Sequence, residues 1–154
     1  FRAALPYVTA RRGYLMAISS MAAFVHNPLN AIYAATKAGV WAMCDSVRLE
    51  LRHQGVGVGS VHPTFFKTPM MDAVQAEPAG FKIYKGNTGL WKYVGIEQVV
   101  AGIVNGIERR KDTVIVPRHL TPLARMPGLF RGLIDRIGFS DANIAESIRL
   151  SKAP

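Results

Sequence analysis

The sequence has a single cysteine, few acidic residues and no long apolar run, and each shortage excludes a class of protein. Cys44 cannot form an internal disulfide, which favours a reducing compartment. No run of about 18 apolar residues is present to form a membrane-spanning helix, and no signal-peptide pattern opens the chain. We therefore predict a cytoplasmic protein. Asp and Glu number 10 against 19 Lys and Arg, so the net charge of +9 needs an explanation.

What the sequence does have is the composition of a folded domain. At 154 residues, with 49% hydrophobic and 19% charged residues, the chain is long enough for one domain, or part of one, with its own core. Cys44 is expected to be a small buried hydrophobe in that core. The first eight residues are typical of the middle or end of an apolar helix, so we expect that the native amino terminus is absent.

Residues 13–37 combine a strand, a loop and the start of a helix. The apolar run Tyr14–Ile18 has no polar alternation, which predicts a strand buried on both faces of a parallel sheet. A long helix is predicted over residues 30–53, with an apolar stripe at Val40, Met43, Val47 and Leu51. Near its start Tyr33 and Lys37 lie four residues apart and therefore share one face.

The pair of Tyr33 and Lys37 points to proton-transfer chemistry. A phenol with a reference pKa of about 10 is a poor base, but a nearby ammonium group favours the phenolate. Ser20 follows the strand at its carboxyl end, where open α/β sheets bind ligands. Such a pair also arises by chance, and paired serines are ordinary in turns. The joint pattern of strand, Ser-Ser, a gap of 13 residues and Tyr-x-x-x-Lys favours an active site.

This joint pattern resembles the short-chain dehydrogenases/reductases (SDRs), with Ala23 where that family commonly has Gly. The resemblance implies that Tyr33 is the general acid/base and that Ser20 hydrogen-bonds the substrate oxygen. It implies that Lys37 lowers the pKa of Tyr33 and holds the nicotinamide ribose. The fold implied is α/β, a Rossmann-like doubly wound parallel sheet, and the cofactor implied is NAD or NADP.

A second segment also resembles the family. A strand is predicted over Val56–Val61, and the residues after it are similar to the family's Pro-Gly-x-x-x-Thr segment. The resemblance implies that Pro63, Phe66 and Thr68 contact the cofactor. Thr64 stands in place of the usual Gly, which puts the backbone path in question because Gly tolerates dihedral angles that a β-branched residue does not. The alternative for Thr68 is a simple turn residue.

The family's Gly-rich dinucleotide-binding turn and its catalytic Asn have no counterpart in the chain. The glycines of residues 55–59 lack the G-x-G-x-x-G spacing and precede no helix, so we predict close packing of strand backbone there. Residues 1–118 are therefore expected to be the second half only of the domain, with one side of the sheet unpaired. We expect this segment alone to be inactive, and the choice between NAD and NADP to lie in the missing half.

The remaining residues are predicted as a loop, a helix, a strand and a helical extension. Residues 70–95 show no sustained period and predict an irregular substrate lid, whose apolar side chains either face a hydrophobic alcohol, ketone or aldehyde or pack on the core. A helix over 96–111, with an apolar stripe, and a strand over 113–116 follow. Residues 119–154 form the extension, in which apolar positions from Met126 to Ile137, flanked by arginines, predict a basic amphipathic helix.

Three explanations of the basic extension remain open. We favour a tail that covers its own active site or a partner subunit in a homo-oligomer, over peripheral contact with an anionic membrane. Nucleic-acid binding ranks lowest because no fold motif or aromatic platform accompanies the charge. No metal site is predicted. A non-catalytic fragment or scaffold is the alternative to an enzyme, and the intact Ser20, Tyr33 and Lys37 argue against it.

Overall fold

The computed structural model describes residues 1–152, and its centre is a three-stranded parallel sheet. The strands are β1 (Tyr14–Ile18), β2 (Gly57–Pro63) and β3 (Thr113–Val116). The helices are α1 (Leu5–Ala10), α2 (Ala31–Leu51), α3 (Pro69–Ala76), α4 (Pro78–Ile83), α5 (Ile96–Glu108), α6 (Thr121–Arg125), α7 (Pro127–Gly138) and α8 (Asp141–Ser151).

Helices cover the two faces of the sheet in alternation. β1 pairs with β2 and β2 with β3, all in parallel, and the crossovers run through α2 and α5. Successive side chains of a strand point to opposite faces. Leu15 and Ala17 of β1 pack in the cluster that includes Cys44 of α2, whereas Met16 packs in the cluster that includes Val99 of α5. The predicted α/β class with a parallel sheet is confirmed.

The prediction that β1 is buried on both faces is wrong. Its first four residues are only half-buried, and Ile18 is 59% exposed. β1 forms an edge of the sheet, because within residues 1–152 it pairs with β2 alone. Its uniformly apolar sequence resembles that of a central strand, but its position in the described sheet leaves it partly open.

The long helix lies where its period predicted it, with one error in the stripe. α2 spans Ala31–Leu51, and a 3₁₀ turn continues it to Gly55, whose φ of +72° ends the helix. Cys44 is 2% exposed, and burial raises the pKa of its thiol, as expected of a small buried hydrophobe. Met43, assigned to the apolar stripe, is instead 44% exposed.

The prediction of an irregular segment over residues 70–95 is wrong in its secondary structure. The segment contains most of α3 and all of α4, followed by two short 3₁₀ turns. Both helices begin with a proline at the first position, where its missing N–H costs nothing. With eight and six residues, they are also too short to show a sustained period.

The amphipathic helix predicted from Met126 to Ile137 coincides with α7, and the extension contains two further helices. Three helices, α6 to α8, occupy residues 121–151. α8 packs on α4, and the ring of Phe139 lies 4.9 Å from that of Trp91, centroid to centroid. The extension therefore contacts the segment that lies over the carboxyl ends of the strands. Among residues 1–152, no helix has both the length and the apolar character needed to cross a membrane.

The apolar stripe of α5 is only partly buried. Val99 and Ile103 pack against the sheet, while Val100, Val104 and Ile107 are 46–52% exposed. The spacing of these residues predicted the helix correctly, but it did not show which side of a broad stripe meets the sheet.

Candidate active site

A cavity of about 650 Å³ lies at the carboxyl ends of β1 and β2. All six residues that the sequence singled out line it, namely Ser20, Tyr33, Lys37, Pro63, Phe66 and Thr68. They come from three separate stretches of chain: the loop after β1, the start of α2, and the last residue of β2 with the loop that follows it. Parallel strands bring their carboxyl ends to one edge of the sheet, and this topology gathers the three stretches.

Ser20 presents a hydroxyl group whose hydrogen is available to a ligand. Its backbone is extended, with φ −162° and ψ 159°, and it caps the 3₁₀ turn Met21–Ala23. The Ser20 Oγ accepts a hydrogen bond from the Ala22 N–H at 3.1 Å. Because that bond uses a lone pair, the O–H hydrogen remains free to donate. Ser20 is therefore placed to hydrogen-bond an oxygen atom in the cavity.

Tyr33 and Lys37 lie together at the start of α2. The Lys37 Nζ is 5.5 Å from the centroid of the Tyr33 ring and donates to the Ile18 carbonyl oxygen at 3.3 Å. Buried Ser19 donates from its Oγ to the Lys37 carbonyl oxygen at 2.8 Å. The end of β1 thus holds Lys37 by both its side chain and its backbone. An ammonium group has three donors, so two remain for a ligand.

The loop after β2 has a regular backbone despite Thr64. The Thr64 N–H donates to the Val116 carbonyl oxygen at 2.8 Å, and Thr64 does not have a positive φ, so the position requires no glycine. Thr68 is the N-cap of α3, since its Oγ1 accepts from the Met71 N–H at 3.2 Å. Thr68 therefore has a local structural role, as the alternative in the sequence analysis proposed. Its hydroxyl hydrogen is not used by the cap and remains available as a donor.

Apolar side chains form most of the other walls. Met71, Tyr84 and Trp91 contribute from residues 70–95, and Leu123 and Leu150 contribute from the extension. Tyr84 and Trp91 also pack with Ile83 and Phe139 in a core cluster. The same side chains therefore line the cavity and build the core, so packing on the core does not remove them from the cavity wall.

Three polar residues near the cavity were not anticipated from the sequence. Buried Ser19 holds Lys37, and Asn30 donates from Nδ2 to the Tyr84 hydroxyl at 3.1 Å, while burial raises the pKa of Tyr84. His62 is fully buried, with its Nδ1 3.2 Å from the Ser20 carbonyl oxygen. The only available signal for His62 was a polar residue near the end of an otherwise apolar strand.

The side chains that commonly bind metal ions do not cluster among the residues that the structure describes. Within residues 1–152, no group of three or more His, Cys, Asp or Glu side chains is arranged to hold a metal ion.

Comparison with known proteins gives a family match at the amino-terminal half of the chain. The family model described as short chain dehydrogenase matches residues 1–79. A 3-oxoacyl-[acyl-carrier-protein] reductase from Synechocystis is 40% identical over 68 residues, which cover 44% of this chain and 28% of that protein. Dehydrogenase/reductase SDR family member 7B from Xenopus laevis is 28% identical over 117 residues, covering 74% of this chain and 36% of that protein.

A solved structure supports the fold. A short chain dehydrogenase from Burkholderia cenocepacia, in complex with NADP, superposes with a TM-score of 0.68 at 21% identity, over 90% of this chain and 54% of that one. The Rossmann-like parallel sheet is thus confirmed. The chain matches about a third of the length of the curated relatives and about half of the length of the solved structures.

Proposed function

Because this chain belongs to the short chain dehydrogenase family, we propose that the whole protein is an NAD(P)-dependent oxidoreductase that interconverts a hydrophobic alcohol and its ketone or aldehyde. The observation that carries the proposal is the convergence of Ser20, Tyr33 and Lys37 on one cavity whose other walls are largely apolar.

The residues present fit the nicotinamide end of the cofactor. The Lys37 ammonium group has two free donors, and these and the Tyr33 hydroxyl can hydrogen-bond a ribose diol. The nicotinamide ring and its carboxamide can lie against the wall formed by Pro63, Phe66 and Thr68. The hydroxyl hydrogen of Thr68 is not used by the helix cap and can donate to that carboxamide. When bound, the nicotinamide supplies or takes up the hydride. NAD and NADP are both compatible with these residues.

The protein's own groups handle the proton and the substrate oxygen. In reduction, the Ser20 and Tyr33 hydroxyls donate to the carbonyl oxygen, where negative charge develops, and Tyr33 then transfers its proton to that oxygen. Lys37 lies 5.5 Å from the Tyr33 ring, and its positive charge stabilises the phenolate left behind. Oxidation reverses these steps, with Tyr33 removing the proton of the alcohol.

The substrate class follows from the walls of the cavity. A volume of about 650 Å³ is within the usual range for small-molecule sites, and the lining around Met71, Trp91 and Leu150 is apolar. We assign residues 70–95 and the extension to the substrate side of the site. This arrangement favours a hydrophobic carbonyl compound over a small polar metabolite.

Replacement of the Tyr33 hydroxyl tests the function. Tyr33→Phe should lower kcat at least about a hundredfold, because it removes the general acid/base. The assay uses the whole protein, not residues 1–154 alone, with aliphatic and aryl methyl ketones and NADH or NADPH, and follows oxidation of the reduced cofactor. Tyr7→Phe removes a hydroxyl from a side chain that is 75% exposed and should leave kcat unchanged. Turnover of Tyr33→Phe near that of the wild type would exclude the mechanism.

A second proposal concerns contact with an anionic membrane surface. Leu129, Leu133 and Ile137 form a row on α7, at spacings of four residues, and are 57–68% exposed. Arg136 is three residues from Leu133 and seven from Leu129, so it borders this row and is also exposed. Anionic lipid offers both an apolar layer and opposite charge, and a reversible peripheral contact is expected.

A further inference from the structure

We propose that His62 is a positioning residue, which holds the Ser20 backbone so that the Ser20 hydroxyl faces the substrate. The inference rests on the proposed function of Ser20. His62 lies 42 residues from Ser20 in sequence and does not line the cavity, so it acts through Ser20 and not on the substrate itself.

The hydrogen bonds of His62 determine which ring nitrogen carries the proton. Nδ1 is 3.2 Å from the Ser20 carbonyl oxygen, and Nε2 is 2.8 Å from the Ser60 Oγ. A carbonyl oxygen can only accept, so Nδ1 must carry the hydrogen. Nε2 of the neutral ring then accepts from the Ser60 hydroxyl. Both ring nitrogens are satisfied in only this one tautomer, which fixes the direction of the Nδ1–H bond.

Packing constrains the His62 ring in addition to its hydrogen bonds. His62 has no solvent-exposed surface, and its ring centroid lies 4.7 Å from that of Phe24. Burial lowers the pKa of His62, so the ring remains neutral near pH 7 and keeps the tautomer described. A rigid donor of this kind can hold the peptide group of Ser20 in one orientation.

Three hydrogen bonds hold the carbonyl oxygen and the hydroxyl oxygen of Ser20 beside the cavity. Its carbonyl oxygen accepts from the Ala23 N–H at 3.0 Å as well as from His62, and its Oγ accepts from the Ala22 N–H. His62 is the one side chain among these donors. His62 also directly precedes Pro63 in the chain. Its hydrogen bond to Ser20 therefore connects the loop after β1 to the segment from Pro63 to Thr68 that we assign to the cofactor.

Two polar substitutions separate a positioning role from a purely structural one. In His62→Asn the amide nitrogen is as many bonds from Cβ as Nδ1, so a donor to Ser20 can be kept. In His62→Gln the amide nitrogen matches Nε2, so the contact with Ser60 can be kept while the donor to Ser20 is lost. We expect His62→Asn to keep kcat within about twofold of the wild type and His62→Gln to lower it on the order of tenfold, with the KM for the cofactor unchanged in both.

The same substitutions in a Ser20→Ala background complete the test. Ser20→Ala should lower kcat by about a hundredfold, and His62→Gln should then add no further loss, because the two changes act on one group. Equal kcat values for His62→Asn and His62→Gln, or a full additional loss in the Ser20→Ala background, would overturn the role of His62. If Ser20→Ala and Tyr33→Phe both turn over like the wild type, the proposed function itself fails.

A measurement on the unmodified protein keeps the proposal testable if a variant does not fold. Nitrogen-15 NMR of the histidine rings distinguishes the two neutral tautomers. The expected result for His62 is a protonated Nδ1 and an unprotonated Nε2. A protonated Nε2 would show that no hydrogen bond runs from His62 to Ser20, and it would contradict the proposal.

Discussion

At the scale of single residues, the glycines of β2 allow the backbone of neighbouring segments to pack closely, as the sequence predicted. Residues 55–59 were predicted to be closely packed strand backbone and not a phosphate-binding loop, which holds for Gly57 and Gly59 but not for Gly55, whose φ of +72° ends the helix before β2. A Cβ at Gly59 would overlap the Lys111 carbonyl oxygen and the Tyr14 hydroxyl oxygen. Non-bonded heavy atoms do not approach that closely in a packed interior, so neighbouring backbone would have to move to admit any side chain.

Gly59→Ala should therefore destabilise the protein by about 1–3 kcal/mol, because backbone must shift to admit the methyl group. Urea denaturation measures the loss. Gly39→Ala is the matched control, since a Cβ there meets no atom within 4 Å and the residue lies inside α2. It should stabilise the protein by roughly 0.5–1 kcal/mol. Equal stability of the two variants would show that the contacts at Gly59 impose no strain.

The site was predictable from sequence where short-range spacing carried the information. Tyr33 and Lys37 are four residues apart on one helix, and Ser20 follows a strand, so their convergence could be anticipated from periodicity and sheet topology. Ser19 and His62 could not, because their partners lie 18 and 42 residues away. Only the tertiary structure brings those atoms within hydrogen-bond distance.

At the scale of secondary-structure elements, length decided which predictions succeeded. α2, with 21 residues, and α5, with 13, have enough turns for an apolar period to be visible. α3 and α4, with eight and six residues, are too short to show one, and each begins with a proline, Pro69 and Pro78. Proline at the first helical position is compatible with a helix, so neither proline excludes the helix that it begins.

The exposed row on α7 gives a prediction that belongs to one helix. The protein should co-sediment with phosphatidylserine vesicles at about 0.1 M salt. The bound fraction should fall at 1 M salt, because salt screens the attraction between the arginines and the anionic lipid. Leu129→Gln combined with Leu133→Gln should abolish binding, and Arg136→Gln should weaken it. Leu49→Gln, on α2, changes a leucine that is 55% exposed and should leave binding intact.

Two results would exclude α7 as a membrane contact. The first is equal vesicle binding by the double leucine variant and the wild type. The second is equal binding to vesicles of neutral phosphatidylcholine, because the proposal depends on the arginines as well as on the apolar row.

At the scale of the whole molecule, the sheet explains both the site and the exposure of β1. Three parallel strands in chain order place Ser20 and Pro63 side by side at their carboxyl ends. The same order leaves the other side of β1 without a strand partner among residues 1–152. Hydrophobicity alone could not reveal this, because an apolar strand has the same sequence character at the edge of a sheet as at its centre.

The buried histidine at the end of β2 links the stability of the whole molecule to pH. Burial lowers the pKa of His62 below its ordinary value of 6.5, and the hydrogen bond to Ser20 and the charge of Asp45 offset only part of this effect. Above pH 6.5 the ring is neutral in both the folded and the unfolded chain. Below it, the unfolded chain takes up a proton that the folded protein resists, so protonation favours unfolding.

The free energy of unfolding should therefore decrease as the pH falls from about 7.5 to 5.5, as measured by urea denaturation at each pH. His62→Asn has no titratable group at this position, so its decrease over the same interval should be smaller than that of the wild type. Because both proteins share every other titrating group, the difference between the two slopes isolates His62. Parallel slopes would mean that His62 takes up a proton equally well in the folded and unfolded states, which is incompatible with a ring buried between Ser60, Phe24 and the Ser20 carbonyl group.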